Sequence, residues 1–169
     1  MLELIHNISD NRLLLGGVVF LADWFPYVVA LSVPLVLAKL KKFSWRTLGV
    51  IFLPAIVAYA LAEVIKLALP LPRPFVELLF VPLIAVGDPL GSFPSSHAAF
   101  FAALCGGMYA KDRSLGVWFA LAAIVIGVAR VVAGVHWPVD VLFGLFIGFF
   151  VGFFPLFVTT FRHIRRRFG

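Results

Sequence analysis

The run TLGVIFLPAIVAYALAEVIKLAL, residues 47–69, decides how this chain folds. Its length matches the roughly 20 apolar residues that a helix needs to cross the hydrocarbon core of a bilayer. Pro54 lies inside it and is tolerable there, because neighbouring helices in a membrane bundle satisfy the carbonyl that a proline frees. Glu63 and Lys66 sit near one end, about one turn apart. Ionisable groups in that position are unfavourable unless they pair or line a functional cavity, so the run marks a membrane span and one edge of a candidate site.

The whole composition points the same way. Of 169 residues, 63% are hydrophobic and only 13% charged, with a mean hydropathy of +1.09. One soluble core of this size cannot bury so much apolar surface. The expected fold is therefore all-α, an integral membrane helical bundle of about five spans plus a short N-terminal interfacial helix, in one membrane-embedded domain over residues 1–169. The spans are read at 21–38, 47–69, 95–110, 114–132 and 138–161, and residues 1–20 along the interface. Pro70, Pro72 and Pro74 disfavour helix, which makes residues 70–94 a largely irregular loop of a length that usually carries function.

A net charge of +6 raises the question of where the fourteen Lys and Arg residues lie. Lys39, Lys41, Lys42 and Arg46 share one connection, Lys111 and Arg113 another, and Arg162, Arg165, Arg166 and Arg167 the C-terminus. Those ten fit the cytoplasmic face under the positive-inside rule, so the basic balance reflects membrane orientation and implies no nucleic-acid partner. Residues 1–12 lack the basic stretch and apolar core of a signal peptide. Cys105 is the one cysteine and cannot form an intramolecular disulfide. Gly144, Gly148 and Gly152, at four-residue spacing, form a helix-packing face, for neighbours within the chain or for a homodimer.

The same orientation gathers three polar islands on the external face: Lys66 with Arg73-Pro74, then Pro94-Ser95-Ser96-His97, then Arg130, His136 and Asp140. Pro138 suits the first position of a helix, which puts Asp140 third, where its carboxylate can reach back and bond the His136 ring. A histidine so oriented has a free ring nitrogen for nucleophilic attack; the plainer alternatives are a helix cap and an interfacial histidine. Arg130 can grip a phosphate with two parallel bonds or can snorkel to a headgroup. At Pro94-Ser95-Ser96-His97 a helix begins where hydroxyls and free backbone N–H groups converge, an anion site assisted by the helix dipole, and His97 can supply a proton there. Taken singly, Ser95 is equally an ordinary N-cap. Together the islands suit phosphoryl transfer, with Lys66, Arg73 and Arg130 offsetting the phosphate charge. No cysteine cluster or His-x-x-x-His pair suggests a metal site, and no cofactor is expected.

In order and spacing, Lys66-x6-Arg73-Pro74, Pro94-Ser95-Ser96-His97 and Arg130-x5-His136-x3-Asp140 resemble the three-part signature of the type-2 phosphatidic acid phosphatase family, which shares its site with vanadium haloperoxidases. The resemblance implies a metal-independent lipid phosphatase. It implies catalytic roles for His136 as nucleophile forming a phosphohistidine, Asp140 as its orienter and His97 as proton donor. Lys66, Arg73, Ser95, Arg130 and the backbone amides of Ser96 and His97 would hold the phosphate. Two positions depart from the family's usual residues, Ser96 for glycine and Ala129 for serine, and a side chain at 96 is expected to crowd the phosphate. The short length and the segment Ala22-Asp23-Trp24-Phe25-Pro26-Tyr27 are similar to small bacterial undecaprenyl-diphosphatases. That likeness implies undecaprenyl diphosphate as substrate, in the bacterial plasma membrane with the site outside. Phosphatidylglycerophosphate, phosphatidic acid, diacylglycerol diphosphate and lipid A phosphates are alternative substrates, and an anion or lipid transporter is the alternative class.

Overall fold

A computed structural model describes the backbone of residues 2–168 and the side chains of residues 2–157. The cytoplasmic placement expected for the side chains of Arg162, Arg165, Arg166 and Arg167 falls outside the described residues. Helix α1 (Leu2–Asp10) is followed by α2 (Arg12–Val19), whose N-cap Asn11 accepts from the N–H groups of Leu13 and Leu14. A π-helical turn (Phe20–Trp24) joins α2 to α3 (Phe25–Lys39). Then come α4 (Trp45–Ala68), the single turn α5 (Pro74–Glu77), α6 (Ser96–Tyr109), α7 (Arg113–Val132) and α8 (Pro138–Phe168).

Among the described residues, four segments are long and apolar enough to cross a membrane: Arg12–Lys39, Trp45–Ala68, Arg113–Val132 and Pro138–Phe157. The first corrects the expected boundary at residue 20. Residues 13–22 carry no charge, so nothing stops α2 from running on into the span, and only α1 stands apart from it. Helix α6 is the fifth member of the bundle, yet with 14 residues it is only roughly 21 Å long, against about 30 Å of hydrocarbon. It survives at that length because it is enclosed by protein. Ala98, Ala99, Ala103, Leu104 and Met108 are all buried, and α4, α7 and α8 pack around it.

Small side chains make that enclosure close. A Cβ at Gly144 or Gly148 would be driven into the carbonyls of Ser95 or Ala99, and one at Gly152 would lie 2.5 Å from the Ala103 carbonyl oxygen. The glycine face of α8 is thus taken up by α6 inside the chain, the first of the two readings its spacing allowed, and is not free for the alternative homodimer contact. Leu31, Leu35, Leu53, Phe146, Phe150 and Phe154 point outward and exposed, an apolar belt that suits lipid and not water.

The helices are sorted end from end by their polar contacts. Lys42 Nζ donates to the Lys111 carbonyl at 3.0 Å, bringing the two basic connections together. At the opposite end Lys66 Nζ donates to Ser96 Oγ at 2.9 Å, and there the three islands meet. Residues 83–86 pack over Ala22, Ala129, Ala133 and Val135, folding the loop down onto this end of the bundle.

Candidate active site

Helix α8 begins at Pro138, and its third residue, Asp140, reaches back as the sequence suggests: Oδ2 accepts from the Trp137 N–H at 2.8 Å. The same oxygen accepts from Ser92 Oγ at 2.6 Å. His136 stands between Asp140 and Arg73. Its Nδ1 is 3.5 Å from Asp140 Oδ2 and without a hydrogen-bond partner, while Nε2 faces Arg73 Nη1 at 3.4 Å. The expected pairing of carboxylate and ring is present as this 3.5 Å contact, longer than the two bonds that Oδ2 accepts from Ser92 and Trp137. Burial pushes the His136 pKa down to about 4; Arg130 and Arg73 add to the effect and Asp140 opposes it. The imidazole is neutral near pH 7, and Arg73 Nη1, which can only donate, favours the tautomer with Nε2 unprotonated, the form a nucleophile needs.

Arg73 is buried, and its fork is held by the chain: Nε donates to the Asp88 carbonyl at 2.6 Å and Nη1 to the Val135 carbonyl at 2.8 Å. Burial lowers its pKa, against the pull of Asp88 and Asp140, but a guanidinium stays charged in proteins. Arg130 comes from the last turn of α7 and is equally buried. Its Nη1 donates to the Ala22 carbonyl at 3.2 Å, and its Nε has no partner. A buried N–H of that kind is poised for an anion, since leaving it unpaired is costly. The π-turn that offers Ala22 was not legible in the residue pattern, although such turns recur at functional sites.

Ser95 is the N-cap of α6, its Oγ accepting from the Ala98 N–H at 3.4 Å, and its own N–H donates to the Asp140 carbonyl at 2.9 Å. Lys66 Nζ is shared between Glu63 Oε1, at 2.8 Å, and Ser96 Oγ. The Ser96 hydroxyl is thus directed at the lysine, not left to crowd the end of the helix. His97 lies within electrostatic reach of Arg130, His136, Lys66 and Arg73. It also lines a cavity of about 330 Å³ between α3, α4 and α6, whose other walls include Pro26, Tyr27, Tyr59 and Phe101.

All eight candidate residues therefore meet at one end of the bundle. Sequence reading missed Ser92, which had no signal beyond its place just before Phe93-Pro94. It noted Glu63 beside Lys66 but assigned it no place in the site. Among the described residues, no three His, Cys, Asp or Glu side chains gather as a metal cluster.

Cations converging on a buried histidine inside a helical membrane bundle suit the binding of a phosphate carried by a lipid. The PAP2 superfamily model matches residues 47–164, and the chain belongs to that superfamily. It is 29% identical over 148 residues to the bacitracin transport permease protein BcrC of Bacillus licheniformis, covering 85% of this chain and 71% of that protein. The crystal structure of Aquifex aeolicus LpxE superposes with a TM-score of 0.62 at 26% identity, covering 92% of this chain and 93% of that one. With bacterial relatives and membrane-crossing helices, this is a multi-pass bacterial membrane protein.

Proposed function

We propose that the chain removes phosphate from a lipid phosphate or diphosphate through a phosphohistidine on His136, with undecaprenyl diphosphate as the substrate. The observation that carries the proposal is the setting of His136, buried and neutral, with Asp140 behind Nδ1 and Arg73 beside Nε2. Nε2 attacks phosphorus, the bond from phosphorus to the leaving oxygen breaks, and His97, protonated against the negative charge of the bound phosphate, gives that oxygen its proton. In the second half His97 takes a proton from water, the water oxygen attacks the phosphohistidine, and the P–N bond breaks to release inorganic phosphate. Lys66, Arg73, Arg130, Ser95, Ser96 and the first amides of α6 hold the equatorial oxygens, whose charge they stabilise throughout.

The apolar cavity beside His97 supports a lipid as the carrier of the phosphate, since its walls suit a hydrocarbon chain next to the proton donor. The choice of undecaprenyl diphosphate rests on the likeness of the short chain and residues 22–27 to small bacterial undecaprenyl-diphosphatases. The orientation rests on the basic connections, whose preference for the cytoplasm supports a site on the outer face and a part for the product in cell-wall synthesis. The word permease in the name of the Bacillus licheniformis relative suggests transport, but binding alone needs no ordered histidine and aspartate.

Released phosphate is measured with purified protein, EDTA and a panel of undecaprenyl diphosphate, phosphatidylglycerophosphate, phosphatidic acid and a lipid A phosphate. Fastest turnover on the first lipid and none with His136→Ala is the expected result. Activity in His136→Ala, or an absolute need for added metal, overturns the mechanism; preference for another lipid overturns the substrate.

A further inference from the structure

Ser92 has no role in the mechanism above, yet it makes the shortest hydrogen bond to Asp140. Its side chain is fully buried, and its hydroxyl donates to Asp140 Oδ2 at 2.6 Å. Its backbone N–H donates to the Leu71 carbonyl at 3.1 Å, which anchors the loop behind the hydroxyl. The Trp137 N–H takes a second place on the same oxygen at 2.8 Å, and His136 Nδ1 is left 3.5 Å away without a partner. Asp140 is thereby tied to the residues before α6 twice, through Ser92 to its carboxylate and through the Ser95 N–H to its carbonyl.

We propose that Ser92 is a positioning residue that sets how strongly Asp140 acts on His136, holding the carboxylate beside the imidazole while dispersing enough of its charge to keep the ring neutral and nucleophilic. The inference rests on the histidine-nucleophile reading. A donor to a carboxylate stabilises its negative charge and weakens it as an acceptor for anything else. Around the ring stand Arg73 from the segment before α5, Arg130 from α7, Asp140 from α8 and His97 from α6, with Lys66 of α4 acting on His97. Burial disfavours a protonated ring most, the arginines add to that, and Asp140 opposes both, so a donor that weakens this carboxylate keeps the ring neutral. Without the Ser92 hydroxyl the carboxylate has one donor fewer and turns to Nδ1. It then stabilises the protonated ring, which cannot attack.

The test compares wild type, Ser92→Ala, Ser92→Cys and His136→Ala on one lipid phosphate across the acid limb, so that ionisation of the substrate cancels. In Ser92→Ala the acid limb of kcat/KM is expected to move up by about one pH unit, with kcat and KM near neutral pH, where the ring stays neutral in both proteins, each within about twofold of wild type. Ser92→Cys, a weaker donor of similar size, shifts the limb in the same direction by less. Should Ser92→Ala not yield a monodisperse protein, Ser92→Cys is judged by the same criterion. Acid limbs that coincide with wild type, or a loss confined to KM, overturn the inference. An active His136→Ala defeats the histidine mechanism itself, whereas an inactive His136→Ala with an unshifted Ser92→Ala defeats only the role of Ser92.

Discussion

Ser96 Oγ accepts a 2.9 Å hydrogen bond from Lys66 Nζ, whose other partner is Glu63 Oε1 at 2.8 Å. The serine that stands where the family usually has glycine is therefore part of the mounting of a phosphate-binding cation. Removing its hydroxyl leaves Lys66 tethered from one side only, and a less organised cation binds phosphate more weakly. Ser96→Ala should raise KM for the lipid phosphate by about three- to tenfold with a smaller effect on kcat, since bonds to charged groups carry about 1.5–3 kcal/mol and part of this one is replaced by Glu63. An unchanged KM in steady-state assays would show that the bond has no bearing on substrate.

Arg73 spends two of its donors on the Asp88 and Val135 carbonyls while facing His136. A lysine cannot reproduce that fork. Arg73→Lys is expected to lower kcat/KM by about 100-fold or more, of the size found when a preorganised donor is removed from a site where charge develops. Kinetics within a few-fold of wild type would remove Arg73 from the phosphate cradle.

The depressed pKa of His136 also makes a stability statement. A histidine titrating near 6.5 when unfolded and at about 4 when folded binds more protons in the unfolded state between those values. Its contribution is complete above about pH 6.5 and is lost as pH falls towards about 4, an effect on the order of 2–4 kcal/mol. Unfolding midpoints of wild type and His136→Gln in detergent should converge with falling pH across that window. Parallel midpoints would mean that the histidine is not buried neutral.

Gly148 meets the Ala99 backbone where α8 crosses α6, and no rotamer change can clear a Cβ from a carbonyl. Gly148→Ala should destabilise the protein by roughly 1–3 kcal/mol, the range for overpacking a tight interface. Phe150→Ala, on the lipid-facing side, should leave the midpoint within about 0.5 kcal/mol of wild type in the same thermal measurement. Equal effects of the two would contradict the packing of α6 against α8.

Orientation is open to direct labelling, because Phe43 and Ala85 are both exposed at opposite ends of the bundle and Cys105 is buried. With Cys105 replaced, a single cysteine at position 85 should react with an impermeant reagent in intact cells, and one at position 43 should not. The reverse pattern turns the site to the cytoplasm.

Composition and the apolar runs were sufficient for a membrane bundle, because about 20 uncharged residues in sequence have few alternatives to a crossing helix. Local chemistry was enough for the caps at Ser95 and Asp140, each a short side chain bonding an N–H within three residues. The three motifs also named the residues that meet at one end, since their order and spacing survive any packing. The small residues of 95–110 (Ala98, Ala99, Ala102, Ala103, Gly106, Gly107) also pointed to a helix inside the bundle, but only contact with α4, α7 and α8 explains how one of 14 residues serves there. The partner of the Gly144, Gly148 and Gly152 face was likewise undecidable, because spacing reports that a face is flat but not what lies on it.

The chain's residues by themselves determined the solvent in which it folds, the approximate spans and the groups available for phosphate chemistry, all of which follow from local composition and period. The tertiary structure alone decided which of those groups touch. Ser92 and Asp140 are 48 positions apart, and Lys66 and Ser96 are 30. Bonds across such separations depend on how helices dock and loops fold back, and no local pattern records them.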